Sequence, residues 1–129
     1  MKKLSLLLIA FTALVGCTPK EKAPDVGLAS YSGLSAAIAG GDDIIIYDVR
    51  TAEEYESGHI PGALNMSHEL IKKNFPVNDK SAVIVVYCTA GVRSGKTDRV
   101  LAKLGYTGII DFGGITKWEG NLVKGGAPN

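Results

Sequence analysis

The chain has 129 residues, with 14 Lys and Arg against 13 Asp and Glu, a formal net charge of +1 and 46% hydrophobic residues. That length suits one small domain with one core. A near-neutral balance, without a basic stripe or an aromatic-rich stacking surface, speaks against nucleic acid as a partner.

The first stretch reads MKKLSLLLIAFTALVGC. Lys2 and Lys3 precede an apolar run from Leu4 to Val15, and small residues follow. This is the pattern of a secretory signal, and its apolar run is too short for a spanning helix. Leu14-Val15-Gly16-Cys17 resembles the lipobox of bacterial lipoproteins. The resemblance implies cleavage before Cys17, which then becomes the lipid-bearing N-terminus and membrane anchor. Several acyl chains on one residue anchor stably, whereas one is marginal. Residues 1–16 are then a signal peptide, and losing Lys2 and Lys3 takes the formal charge from +1 to −1. Thr18 follows the cysteine. In a Gram-negative host the family's sorting rule would place such a lipoprotein on the periplasm-facing outer membrane. An ordinary signal peptide with a cysteine near its cut is the competing reading. Residues 17–27 are polar, with Pro19 and Pro24, and read as a flexible tether. The folded domain is expected over 28–127.

Leu28-Ala29-Ser30 predicts a short strand, with Ser30 as N-cap of a helix over 31–39 that Gly40-Gly41 ends. Ile44 to Tyr47 is a β-branched run, as in a strand buried on both faces. Thr51-Ala52-Glu53-Glu54 is a capping box opening a short helix that stops at Gly58. Ala63 to Met66 predicts a short strand, and Ser67 a cap for a helix reaching about Asn74. Ala82 to Tyr87 is the strongest strand signal, with Cys88 at its C-terminal end. A helix follows over about 94–104, with Val100, Leu101 and Leu104 on one face and Gly105 at its C-cap. A strand over 108–111, a turn at Gly113-Gly114, a helix over 115–119 carrying Trp118 and a frayed tail complete the chain. Alternating strands and helices predict an α/β fold, a mostly parallel central sheet with helices on both faces. Ligands bind outside the carboxyl ends of such strands, where Cys88 stands.

Two chemistries compete for Tyr87 to Thr97, YCTAGVRSGKT. Ala90 to Thr97 fits a relaxed P-loop after a strand and before a helix. Against it stand Ala90 in place of glycine, a domain small for a nucleotide-hydrolysing core, and a signal that exports the chain from the nucleotide pool. The other reading makes Cys88 a nucleophile. Inward-turned loop amides and a helix N-terminus favour the thiolate and lower its pKa. Arg93 would add a forked donor for an anion. Gly91 permits a tight curl, and Ser94 can donate to the sulfur or cap the helix. Thr89, Ala90 and Val92 are small and leave the mouth open. Spacing alone does not separate this reading from a buried structural cysteine. With Cys17 lipidated, Cys88 has no partner in its own chain, a liability in an oxidising compartment unless buried or used.

CTAGVRS resembles the active-site loop of rhodanese-domain sulfurtransferases, C-x-x-G-x-R-S. Asp48-Val49-Arg50, Glu54-Tyr55, Gly58-His59-Ile60-Pro61-Gly62-Ala63 and Asn65 resemble that family's forward half. Leu104-Gly105-Tyr106, Gly113-Gly114 and Trp118 resemble its end, so the likeness runs from Leu28 to Glu119 in order. The nearest shape is a small, exported, single-domain rhodanese of the phage-shock type. From Cys88 to Arg93 the loop counts six residues, C-x4-R; related phosphatases and arsenate reductases use C-x5-R, and the shorter cradle is the sulfur-transferring one. Ser67, where many relatives carry proline, departs from the pattern.

The resemblance implies a double displacement. Cys88 takes a sulfane sulfur from thiosulfate or a similar small anionic donor, carries it as a persulfide held by Thr89, Ala90, Gly91, Val92, Arg93 and Ser94, and passes it to cyanide or a thiol. No metal or organic cofactor is implied. Asp48 and Arg50 read as a structural pair, Lys96 as a surface residue tuning the mouth at most, and His59 and His68 as unrelated histidines. A monomer is the default. The alternative function is a non-catalytic sulfur carrier or redox-sensing module of the cell envelope.

Overall fold

The computed structural model describes residues 27–126. The expected signal peptide, the Cys17 lipidation site, residues 18–26 of the tether and the final residues 127–129 lie outside them.

Four strands form one sheet: β1 (Ile45–Asp48), β2 (Leu64–Asn65), β3 (Ile84–Cys88) and β4 (Ile109–Gly114). Their order is β2-β1-β3-β4 and every pairing is parallel. The helices are α1 (Tyr31–Ala39), α2 (Ala52–Ser57), α3 (His68–Ile71) and α4 (Val92–Lys103), and a 3-10 turn follows at Ile115–Lys117. The expected single small α/β domain is what the chain forms.

The two-residue period of β3 sorts the core. Val85 and Tyr87 pack with Leu34 of α1, Tyr55 of α2, Ile60 and Phe112 on one face. Ile84, Val86 and Cys88 pack with Ile71 of α3, Leu101 of α4 and Tyr106 on the other. Strand β3 is buried throughout because it has a neighbour on each side and helices over both faces. This is why AVIVVY carries no polar alternation.

The expected caps form in part. Ser30 Oγ accepts from Gly33 N at 3.2 Å at the start of α1. Both arms of the Thr51–Glu54 capping box are made, with Glu54 N donating to Thr51 Oγ1 at 3.3 Å and Thr51 N to Glu54 Oε2 at 2.8 Å. Ser67 precedes α3 without a side-chain cap bond, and α3 stops at Ile71 rather than near Asn74.

Other expectations are corrected. Leu28 to Ser30 is a turn, not a strand: Ser30 N donates back to Gly27 O at 2.9 Å, and no strand among the described residues pairs with it. Helix α4 begins at Val92, two residues before the expected start, and buries Ser94, Thr97 and Leu101 while Leu104 is exposed. The two hydroxyls are tolerated there because Thr97 Oγ1 donates to Arg93 O at 2.9 Å and Ser94 Oγ to Gly91 O at 3.1 Å. Gly105 lies just past the helix in the left-handed region, with Leu104 at the cap position. Gly113-Gly114 is not a turn but the end of β4, where the register slips between Val86 and Tyr87. The final helix is a single 3-10 turn, not a span reaching Glu119. The tail is also tied down: His59 N donates to Val123 O and Val123 N to His59 O, both at 2.9 Å.

Candidate active site

Cys88 is the last residue of β3, at the carboxyl edge of the sheet, and is 1% exposed. The chain leaves the strand through Thr89 and Ala90, turns at Gly91 with φ +95° and enters α4 at Val92. A side chain at Gly91 would be strained in that region. The turn brings donors back to the sulfur. Gly91 N donates to Cys88 Sγ at 3.0 Å and Ser94 N at 3.4 Å, and Ser94 Oγ stands 3.6 Å away.

These contacts decide the acidity of the thiol. Burial is the largest influence and pushes it up. The Ser94 amide and hydroxyl and the Gly91 and Ala90 amides together outweigh burial, so the Cys88 thiol lies below its ordinary value. The sulfur therefore sits among donors arranged for negative charge, at the N-terminal end of a twelve-residue helix.

The loop is backed by β4. An added Cβ at Gly114 would lie 2.7 Å from Thr89 O and 3.2 Å from Ala90 Cα. The register slip in β4 carries its glycines under the loop, so backbone packs on backbone there.

The rest of the expected loop divides by exposure. Thr89, Ala90 and Val92 are exposed at the mouth, with Val92 64% exposed, while Ser94 is buried beneath them. Lys96 is exposed on α4. Arg93 has a partner that the sequence reading did not name. Its fork is filled by Glu54, with Nη1 donating to Oε2 at 2.8 Å and Nη2 to Oε1 at 3.0 Å. Sequence reasoning gave Glu54 only its capping role. The charge pairing was open to discovery in principle, because a carboxylate and an arginine in two elements meeting at one sheet edge are natural partners.

Asp48 and Arg50 form the expected pair below the loop, with Arg50 Nε donating to Asp48 Oδ1 at 2.9 Å and Nη2 to Oδ2 at 2.6 Å. Arg50 Nη2 also donates to Gly58 O at 2.7 Å. Burial, followed by the Asp48 carboxylate, pushes the Tyr87 phenol well up, and its oxygen accepts the Ile60 amide at 3.0 Å. The two histidines are apart in role. His59 is stacked on Tyr55 at 3.7 Å between ring centres, and His68 pairs with Glu69. Trp118 packs edge-on against Tyr31 at the rim of the core.

The sequence profile of the rhodanese-like domain family matches residues 31–121. The chain is 36% identical over 80 residues to thiosulfate sulfurtransferase PspE of Escherichia coli (strain K12), covering 60% of this chain and 77% of that protein. It is 32% identical over 78 residues to thiosulfate sulfurtransferase GlpE of Coxiella burnetii, covering 60% and 73%. Among solved structures, a rhodanese with anions from E. coli superposes with a TM-score of 0.60 at 34% identity, over 64% of this chain and 99% of that one. A rhodanese-like domain protein from Staphylococcus aureus superposes with a TM-score of 0.64 at 30% identity, over 74% and 94%.

Proposed function

The chain belongs to the rhodanese-like domain family, and from that membership we propose that it moves a sulfane sulfur from thiosulfate or a similar donor to cyanide or a thiol through a persulfide on Cys88. The observation that carries this reading is the pair of loop amides, Gly91 N and Ser94 N, aimed at a thiol held below its ordinary value. In the first half-reaction the Cys88 thiolate attacks the terminal sulfur of thiosulfate. The new bond joins Cys88 Sγ to that sulfur, the donor's sulfur–sulfur bond breaks, and its electron pair leaves with sulfite. In the second half-reaction the acceptor attacks the outer sulfur, and the Cys88 thiolate returns. The loop amides stabilise negative charge on either sulfur without reorganising. Thr89, Ala90, Gly91, Val92, Arg93 and Ser94 form the wall around the transferred atom. The thiosulfate sulfurtransferases similar to this chain support the donor class.

Intact mass of the full-length protein after thiosulfate, followed by cyanide and thiocyanate detection, tests the reading. One added sulfur on Cys88 and its discharge as thiocyanate are expected, with neither in Cys88→Ala. Sulfur uptake that cyanide does not discharge favours the carrier module. Turnover by Cys88→Ala equal to that of the parent would sink the mechanism.

The address belongs to the same proposal. The chain is an exported lipoprotein anchored at Cys17, on the periplasm-facing outer membrane in a Gram-negative host, and its domain is a monomer. The lipobox-like Leu14 to Cys17 supports it. Labelled fatty acid should enter the parent and not Cys17→Ser; equal labelling of both contradicts the anchor.

A further inference from the structure

Arg93 ends the active-site loop, yet its charge is not offered to a donor. Both terminal nitrogens are engaged by the two oxygens of Glu54, at 2.8 and 3.0 Å, and Nη2 also donates to Thr89 Oγ1 at 3.0 Å. Thr89 Oγ1 donates in turn to Glu54 Oε1 at 3.2 Å. A carboxylate thus occupies the guanidinium edge that an anionic donor's oxygens would use. Glu54 is held from behind by the Thr51 amide at 2.8 Å, so the first turn of α2 fixes it in place.

The pair is 27% and 35% exposed, at the mouth rather than in the core. Thr89, Ala90 and Val92 complete that rim with uncharged side chains. Glu54's hydrogen bonds, opposed by burial, raise Arg93 above its ordinary value, and Cys88 acts in the same direction. Thr89, the residue after Cys88, is hydrogen-bonded to both members of the pair, so the pair stands at the mouth of the loop that carries the reacting sulfur.

We propose that Glu54 sets the charge class of the sulfur donor: by neutralising Arg93 across the loop mouth, it disfavours the dianion thiosulfate relative to singly charged donors such as thiosulfonates and the persulfides of uncharged thiols. The proposal rests on the sulfurtransferase reading above. With a thiosulfonate, the Cys88 thiolate attacks the terminal sulfur, the donor's sulfur–sulfur bond breaks, and the electron pair leaves with the sulfinate. Cys88 is left as the same persulfide anion. Thiosulfate follows the same course with one more negative charge on the donor and on the leaving sulfite. That extra charge gains little from a guanidinium already paired with Glu54. One unit charge at the distance of a loop width, with an effective dielectric between those of protein and water, changes a rate about five- to tenfold per donor charge.

The test is single-turnover loading of Cys88 in the full-length protein by thiosulfate and by methanethiosulfonate anion, read by intact mass. Glu54→Gln keeps an acceptor for the Thr51 amide and removes the charge. It is expected to raise the thiosulfate-to-thiosulfonate rate ratio about five- to tenfold. Arg93→Gln should lower the ratio by a similar factor, and the double variant should return it near the parent's. A ratio that is unmoved or falls in Glu54→Gln overturns the proposal. Should Glu54→Gln fail to fold, Arg93→Gln decides, and an unmoved ratio there overturns it. If neither donor loads the parent, the sulfurtransferase reading fails separately. Mouth charge is then read from alkylation of Cys88: the iodoacetate-to-iodoacetamide rate ratio must rise in Glu54→Gln, and no rise overturns the assignment.

Discussion

Glu54 belongs to two hydrogen-bond systems at once, the cap of α2 and the latch on Arg93. Its carboxyl is held at about 2, first by the Arg93 hydrogen bonds, with burial opposing and the Thr51 amide and hydroxyl adding to the effect. The unfolded chain returns it to roughly 4.3. A folded value below the unfolded one means that the fold gains from the ionised form above about pH 4.3, and that this gain fades as pH falls through the folded value. The pair is partly exposed, so the gain is screened to about 1 kcal/mol. Urea unfolding of the parent and Glu54→Gln should therefore differ at pH 7 and converge between about pH 4 and pH 2. A gap that stays constant across that range would place the effect in packing instead of charge.

At the scale of elements, the site depends on two backbones approaching each other. β4 bulges beside β3 and brings Gly114 under Thr89, leaving no room for a methyl group. A carbonyl oxygen fixed by its own peptide cannot swing aside as a side-chain tip can. Gly114→Ala is expected to cost about 1–3 kcal/mol through overpacking and to slow sulfur loading of Cys88 even where the variant remains folded. A folded Gly114→Ala protein that loads at the parent's rate would show that the loop position does not depend on this approach. Helix α4 makes the complementary contribution. Its face of Ser94, Thr97 and Leu101 docks on the sheet and fixes the direction of the Ser94 amide.

Across the whole molecule, one buried polar network joins the parts that carry the loop. Asn65 Nδ2 of β2 donates to Asp48 O at 3.0 Å and to Arg50 O at 3.1 Å, Arg50 binds the Asp48 carboxylate, and Arg50 reaches the carbonyl of Gly58. The Asp48 side chain is fully buried, and that of Arg50 is 7% exposed. Removing Arg50 strands a buried carboxylate, so Arg50→Ala should lower stability by about 3–5 kcal/mol, seen as a lower urea midpoint with an unchanged slope. A loss under about 1 kcal/mol would mean that water replaces the guanidinium without penalty.

Much of this architecture was legible in the residues. The β-branched run of β3, the Thr51 capping box, the glycine at the curl and the cysteine after the strand each state a local preference. Local preferences survive folding when the tertiary structure has no reason to oppose them. Several of the expectations that changed turned on how distant parts of the chain meet. Leu28 to Ser30 found no strand beside it among the described residues, Val123 found His59, and the glycines of β4 met the loop rather than making a turn. Sequence order alone determined that a thiol would stand at the carboxyl edge of a parallel sheet, because strand–loop–helix order places it there. Only the tertiary structure decided that Arg93 faces Glu54, because a charge's partner depends on which elements meet in space, and these two residues lie 39 positions apart in the chain.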